Sequence, residues 1–159
     1  MFAPADSDAT PRDDAIRLLA RREYSRAELE ARLTAKGHDS AAVAESLDAL
    51  ADEGLQSDAR FAESFLRSRI LRGQGPLKIR VELSRRGIER ELVRSAMAEQ
   101  EADWFALACE TLCRRFSGPG DTPRERARRE RFLAGRGFDF EQVRHALDHA
   151  WDEDAPSVP

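Results

Sequence analysis

A leucine and a glycine four residues apart recur every fifty positions, as Leu33 and Gly37, Leu83 and Gly87, and Leu133 and Gly137. In a chain of 159 residues, that register predicts three copies of one supersecondary unit. Six residues past each glycine stands Val43, Val93 or Val143, and ten past it stands Leu47, Met97 or Leu147. Ten residues ahead of it stands Ala27, Leu77 or Ala127. Apolar positions repeated in this way describe two helices that turn toward a shared core. The glycine between them takes the left-handed conformation that ends a helix.

Start signals support the same frame. Ser25 with Glu28 reads as a capping box, Gly75 with Pro76 as an N-cap and first-turn proline, and Thr122, Pro123 and Glu125 as both. The third cap lies three residues further from its glycine, so that helix is expected to be about one turn longer. Past the glycines, Asp39, Glu89 and Asp139 are the next N-caps. Gln142 completes a box with Asp139, and Ile88 and Phe138 are placed to staple onto Val93 and Val143. Another helical segment precedes each pair, at 15–23, 57–71 and 102–116. Each unit thus has three helices and is too small to be stable without its neighbours.

The expected fold is all-α: three tandem helix-turn-helix-like repeats at 15–54, 55–98 and 99–151, forming an elongated, curved array. Residues 1–14 and 152–159, rich in Asp, Pro and Ala, read as disordered tails. Hinges are expected at 73–76 and 117–123, where glycine and proline interrupt the helices. Residues 77–83 alternate apolar and polar, which in isolation is a strand signature. The repeat frame overrides it, because the equivalent stretches 27–33 and 127–133 do not alternate and are flanked by helix caps.

The net charge of −4 argues against a partner held by bulk positive charge, but it averages over stripes. Residues 60–94 carry +6 and 114–136 carry +5, while 37–59 carry −6 and 137–159 carry −5. All cations but Lys36 and Lys78 are arginine, so the basic stripes are guanidinium stripes suited to bidentate contact with carboxylate or phosphate. The leucine–glycine–valine spacing resembles a DNA-binding helix-turn-helix, but the helices past the glycines are acidic at 39–53 and 139–152 and would be repelled by phosphate. Nucleic acid, if bound, must meet the middle helices of the units.

Helical geometry sorts the arginines there. Arg69 falls inside the apolar arc of Phe61, Ala62, Phe65 and Leu66, and Arg80 inside that of Leu77, Ile79, Val81 and Leu83. Both are expected to pack their stems and pair with carboxylates as structural residues. Arg67, Arg72, Lys78, Arg85, Arg86, Arg124, Arg128 and Arg131 are the candidate contact residues, and Gly37, Gly87 and Gly137 the repeat turns.

Enzyme signatures are lacking: no glycine-rich phosphate loop ends in Lys-Ser/Thr, and no Gly-x-Ser-x-Gly turn occurs. His145 and His149 lie four apart without a third Cys or His nearby, so no metal site and no cofactor is expected. Cys109 and Cys113 at helical spacing read as reduced core thiols of a cytoplasmic protein. The chain has no apolar run of membrane-spanning length, and no membrane association is expected.

The run Asp58, Arg60, Phe61, Ala62, Phe65, Arg67, Arg69, then Gly73, Gly75, Pro76, Ile79, Arg80, Glu82, Leu83 and Gly87 resembles the signature of the RecX family of bacterial regulators. Arg131, Phe132, Leu133, Arg136, Gly137, Phe138 and Val143 extend the resemblance in the third unit. Tyr24, Ser25, Glu28, Leu29, Leu33 and Gly37 do so in the first. It spans about residues 15–150. It implies a non-enzymatic, monomeric negative regulator that lodges in the groove of the RecA–DNA filament. Such a protein inhibits ATPase, strand exchange and filament extension, and so modulates the SOS response, DNA repair and homologous recombination. The outward arginines would then meet RecA, with single- or double-stranded DNA contacted weakly or through RecA. A general DNA-binding module and a non-catalytic helical adaptor remain the alternatives.

Overall fold

The computed structural model describes residues 8–152; residues 1–7 and 153–159, which hold most of the two expected tails, lie outside the described residues. The described chain is all-α, with nine helices in three groups of three. The first group is α1 (Pro11–Leu19), α2 (Arg26–Ala35) and α3 (Ser40–Asp52). The second is α4 (Asp58–Leu71), α5 (Pro76–Arg85) and α6 (Arg90–Gln100), and the third is α7 (Trp104–Arg115), α8 (Pro123–Gly135) and α9 (Phe140–His149). None of these helices is long and apolar enough to cross a membrane.

The caps lie where the sequence places them. Ser25 and Thr122 form reciprocal capping boxes with Glu28 and Glu125, and Asp139 forms one with Gln142. The middle helix of the third repeat has 13 residues against 10 in the others. Glu89 sits at an N-cap but makes no side-chain cap bond. One helix differs from expectation, spanning Pro11–Leu19 rather than 15–23. α1 opens at Pro11, inside the stretch read as tail, because Thr10 and Asp13 form a capping box ahead of it.

Each leucine–glycine turn closes identically. The backbone N–H of His38, Ile88 and Phe138 donates to the carbonyl of Leu33, Leu83 and Leu133, at 3.2 Å in each case. The glycine N–H donates to the carbonyl three residues back, at 3.0 Å. This pairing needs a left-handed residue, and Gly37, Gly87 and Gly137 have φ of 100°, 80° and 97°. The three leucines before the turns are buried, as are Val43, Val93, Val143, Leu47, Met97 and Leu147.

The repeats do not share one core. Leu29, Leu33, Val43 and Leu47 cluster in the first, Phe61, Leu66, Ile79 and Leu83 in the second, and Leu112, Leu133, Phe138 and Leu147 in the third. Each fully buried leucine or isoleucine contributes about 1.5–3 kcal/mol. The units are tied by docking the glycine turn of one repeat onto the start of the middle helix of the repeat before it. At the first junction Ser25 Oγ donates to the Arg86 carbonyl at 2.7 Å. Fifty residues on, the Gly75 N–H donates to the Arg136 carbonyl at 2.8 Å, and the Leu77 N–H to the Gly137 carbonyl at 2.9 Å.

The close approach explains the glycines. A Cβ on Gly87 would lie 2.4 Å from the Cβ of Ala27, and one on Gly137 would lie 2.3 Å from the Cβ of Lys78. Around Gly37, in the first of the three described repeats, nothing stands within 4 Å. Ala27 and Leu77, expected to face the core, are instead exposed beside these docked turns, and Ala127 is half-buried.

The expected hinges are clamped. Residues 73–76 are buried and bonded to the third repeat. The loop before α8 is held by Arg129, whose Nε donates to the Gly118 carbonyl at 2.9 Å, and by Glu125, which accepts from the Asp121 N–H at 2.7 Å. Those backbone donors hold the Glu125 carboxyl below its usual range.

Candidate functional site

The middle helices α5 and α8 bear the guanidinium stripes, and the structure divides their cations into two groups. Arg85, Arg124, Arg128 and Arg131 are exposed. None of these four, nor Arg80, forms an ion pair among the described residues; Arg128 lies 5.8 Å from the centroid of Phe116. Arg67 is exposed and reaches Glu63 one turn back at 3.4 Å. Such an exposed pair is worth only a few tenths of a kcal/mol. Arg72 is exposed at the C-cap of α4, where its carbonyl accepts from the guanidinium of Arg136.

Two candidates are engaged inside the fold rather than free. Lys78 is half-buried because the Gly137 turn docks against its backbone and Cβ. Arg86 is half-buried with its guanidinium 4.7 Å from the centroid of the Phe65 ring, and its carbonyl is taken by Ser25.

Arg69 and Arg80, paired in the sequence reading, separate. Arg69 lies 4.6 Å from the centroid of Phe65, with its Nε 3.6 Å from Glu82 Oε2, and both side chains are 19% exposed. Arg80 is exposed. The alternating run 77–83 places its apolar residues about 200° apart once it is helical, so they split into opposite stripes. Ile79 and Leu83 are buried, while Leu77 and Val81 are 46% and 49% exposed beside Arg80 and Arg85. An apolar ridge framed by arginines results on α5.

The sequence reading missed several charged residues. Asp14, 4% exposed, holds the first turn to α1: Lys36 Nζ donates to it at 2.8 Å and His38 Nε2 lies 2.6 Å from it. These contacts, the lysine's first, hold the Asp14 carboxyl below the usual range. His38 therefore serves as a polar tether where the other repeats use an apolar staple. Arg114, Arg115 and Arg136 gather around Arg72 at the second junction. The adjacent pair Arg114 and Arg115 before Phe116, and Arg136 ahead of the third turn glycine, were their signals in the sequence.

No group of three potential metal ligands is found among the described residues. His145 stacks between Phe105 and His149, with ring centroids 5.2 and 4.8 Å away. The thiols are free but, against expectation, not in the core: Cys109 is half-buried and Cys113 exposed, because only one edge of α7 faces the repeat core. Partial burial pushes Cys109 up to about 11 and raises Cys113, whose Sγ donates to the Ala150 carbonyl at 3.1 Å.

Three family models match in tandem: the first three-helix domain of RecX over residues 12–50, the second over 57–97 and the third over 101–147. The chain is 66% identical over 145 residues to a regulatory protein RecX of Chromohalobacter salexigens, covering 91% of this chain and 95% of that one. It is 46% identical over 154 residues to the protein of that name from Halorhodospira halophila, covering 96% and 94%. The crystal structure of RecX from Lactobacillus salivarius superposes with a TM-score of 0.72 at 22% identity, covering 88% of this chain and 94% of that one. A second crystal structure, of a regulatory protein RecX, gives 0.74 at 20% identity, covering 87% and 70%. With three family models matched in tandem and a relative 66% identical over 91% of this chain, the protein belongs to the RecX family of regulatory proteins.

Proposed function

We propose that this protein is a negative regulator of the RecA recombinase. It binds the RecA–DNA filament as a cytoplasmic monomer and inhibits its ATPase, strand exchange and extension, without catalytic groups or a cofactor of its own. The observation that carries this reading is the set of exposed, unpaired arginines on the middle helices of two consecutive repeats. The docked glycine turns hold those helices in fixed register. Arginines spaced along a repeat array suit a partner that is itself periodic and offers carboxylate or phosphate.

The exposed Leu77 and Val81 between Arg80 and Arg85 favour a protein partner over bare duplex. Arginine with apolar side chains is the composition of protein interfaces, whereas phosphate contact needs no apolar ridge. The acidic helices α3 and α9 would then remain in solvent or meet basic protein surface. The discriminating experiment is ATP hydrolysis by RecA on single-stranded DNA with and without this protein. Substoichiometric inhibition supports the reading. Unchanged turnover points to a non-catalytic adaptor, and inhibition only where the protein saturates the DNA points to a general DNA binder.

A further inference from the structure

At the second junction a cavity of about 270 Å³ opens between the C-terminal ends of α4 and α7 and the face of α8. Four guanidinium-bearing residues line it, Arg72, Arg114, Arg115 and Arg136, together with the half-buried ring of Phe132, and no carboxylate does. Glu110, from the preceding turn of α7, pairs with Arg114. Arg136 donates one terminal nitrogen to the Arg72 carbonyl, while its Nε is buried with no partner. A buried donor left unmatched costs about 1–3 kcal/mol, more when charged, so the fold holds Arg136 in place at a cost.

The wall behind it is aromatic. Phe132 meets Phe116 edge-on, with centroids 5.6 Å apart at 80°. Arg129, Arg115 and Arg128 lie 4.4, 5.2 and 5.8 Å from the centroid of Phe116. We propose that this pocket is a phosphate-binding site that takes a backbone phosphate of single-stranded nucleic acid, with the neighbouring sugar or base against the Phe132 ring.

The chemistry favours this occupant over an acidic protein segment. Planar guanidinium forks match phosphate oxygens, and converging cations without a lining acid suit a group that stays anionic at every pH of interest. Interleaved aromatic and arginine side chains form the stacking platform by which single strands are held independently of sequence, about 1–3 kcal/mol per stacked base. The net charge of −4 is no obstacle, since contact is confined to one basic stripe. The pocket lies at the docked turn, so its geometry depends on repeats 2 and 3 keeping their register. This contact goes beyond filament inhibition and is tested without RecA.

The experiment is fluorescence anisotropy of a labelled oligothymidylate titrated with the full-length chain at several salt concentrations. The variants are Arg72→Glu with Arg115→Glu, the milder Arg115→Gln, and a charge-matched control, Arg90→Glu with Arg94→Glu, on the exposed face of α6. Circular dichroism establishes that each is folded. The proposal expects the double variant to bind at least about tenfold more weakly, with a salt slope lower by about 1 for the lost phosphate. Arg115→Gln should fall between it and wild type, and the Arg90 and Arg94 control within about twofold of wild type. Equal losses in the control and the pocket variants would show diffuse attraction and overturn the site, as would absence of wild-type binding. Retained oligonucleotide affinity in a double variant that no longer inhibits RecA would assign the pocket to an acidic protein surface and overturn it equally.

Discussion

Replacing Gly75 by alanine isolates what holds the repeats in register. Gly75 has φ −83° and ψ 167°, backbone that alanine adopts without strain. Yet a Cβ there would lie 2.4 Å from the Gly137 carbonyl carbon and 2.4 Å from the Phe138 nitrogen. Those are backbone atoms of the docked turn and cannot rotate away, so the third repeat must lift off. Lifting breaks the Gly75–Arg136 and Leu77–Gly137 hydrogen bonds, each worth about 0.5–1.5 kcal/mol net. If the turn stays docked instead, overpacking costs about 1–3 kcal/mol. By either route the expected loss is about 1–3 kcal/mol, confined to the coupling of repeat 3.

Both tryptophans report on that end of the molecule. Trp104 packs on the core of repeat 2 from the start of α7, and Trp151 packs on the core of repeat 3. In urea, Gly75→Ala should move the fluorescence transition to lower denaturant and separate it from the far-ultraviolet transition. Gly37→Ala is the comparator: its φ of +100° strains alanine, but nothing is within 4 Å. It should cost about 1–3 kcal/mol and lower the midpoint without advancing fluorescence ahead of ellipticity. Coincident transitions for Gly75→Ala, shifted by less than about 1 kcal/mol, would refute docking through the glycine turn.

Removing the Asp14 carboxylate as Asp14→Asn should destabilise the protein near neutral pH by about 1–3 kcal/mol, because Lys36 and His38 lose a buried partner. The carboxyl is held below its ordinary 3.8, so its contribution is complete above that value and fades as pH falls through the lowered one. Urea midpoints of wild type and variant should therefore converge in acid, and a gap constant with pH would contradict the assignment. With Cys109 half-buried and pushed up to about 11, that thiol should resist iodoacetamide at neutral pH and react in denaturant, whereas the exposed Cys113 should react faster in the folded protein. Mass spectrometry reads this directly, and rapid native alkylation of Cys109 would contradict it.

Local chemistry was legible in the sequence. The turn glycines, the Ser25, Thr122 and Asp139 caps and the extra turn of α8 all follow from residues within a few positions of one another. The Thr10, Pro11 and Asp13 start of α1 carried the same signal as Thr122, Pro123 and Glu125, but the acidic, alanine-rich composition around it obscured it. Contacts between repeats were not legible. Lys78 and Arg86 face outward on their own unit and are covered because a neighbouring repeat or a distant ring reaches them. Arg80 was misplaced for a different reason: an alternating run on a helix builds two stripes, and only the Ile79 and Leu83 stripe found a core. The arginine pocket joins residues from α4, α7 and α8, a convergence that only tertiary structure creates.

The central claim is that exposed arginines on α5 and α8 form one surface that engages the RecA filament. Reversing Arg85 and Arg128 together to glutamate changes one free residue on each helix and no ion pair of the described fold. RecA ATPase on single-stranded DNA, titrated with folded variant, should need at least about tenfold more protein for half-inhibition, the loss expected for about 1.4 kcal/mol of interaction. Half-inhibition at the wild-type concentration, with the fold intact, would contradict the account.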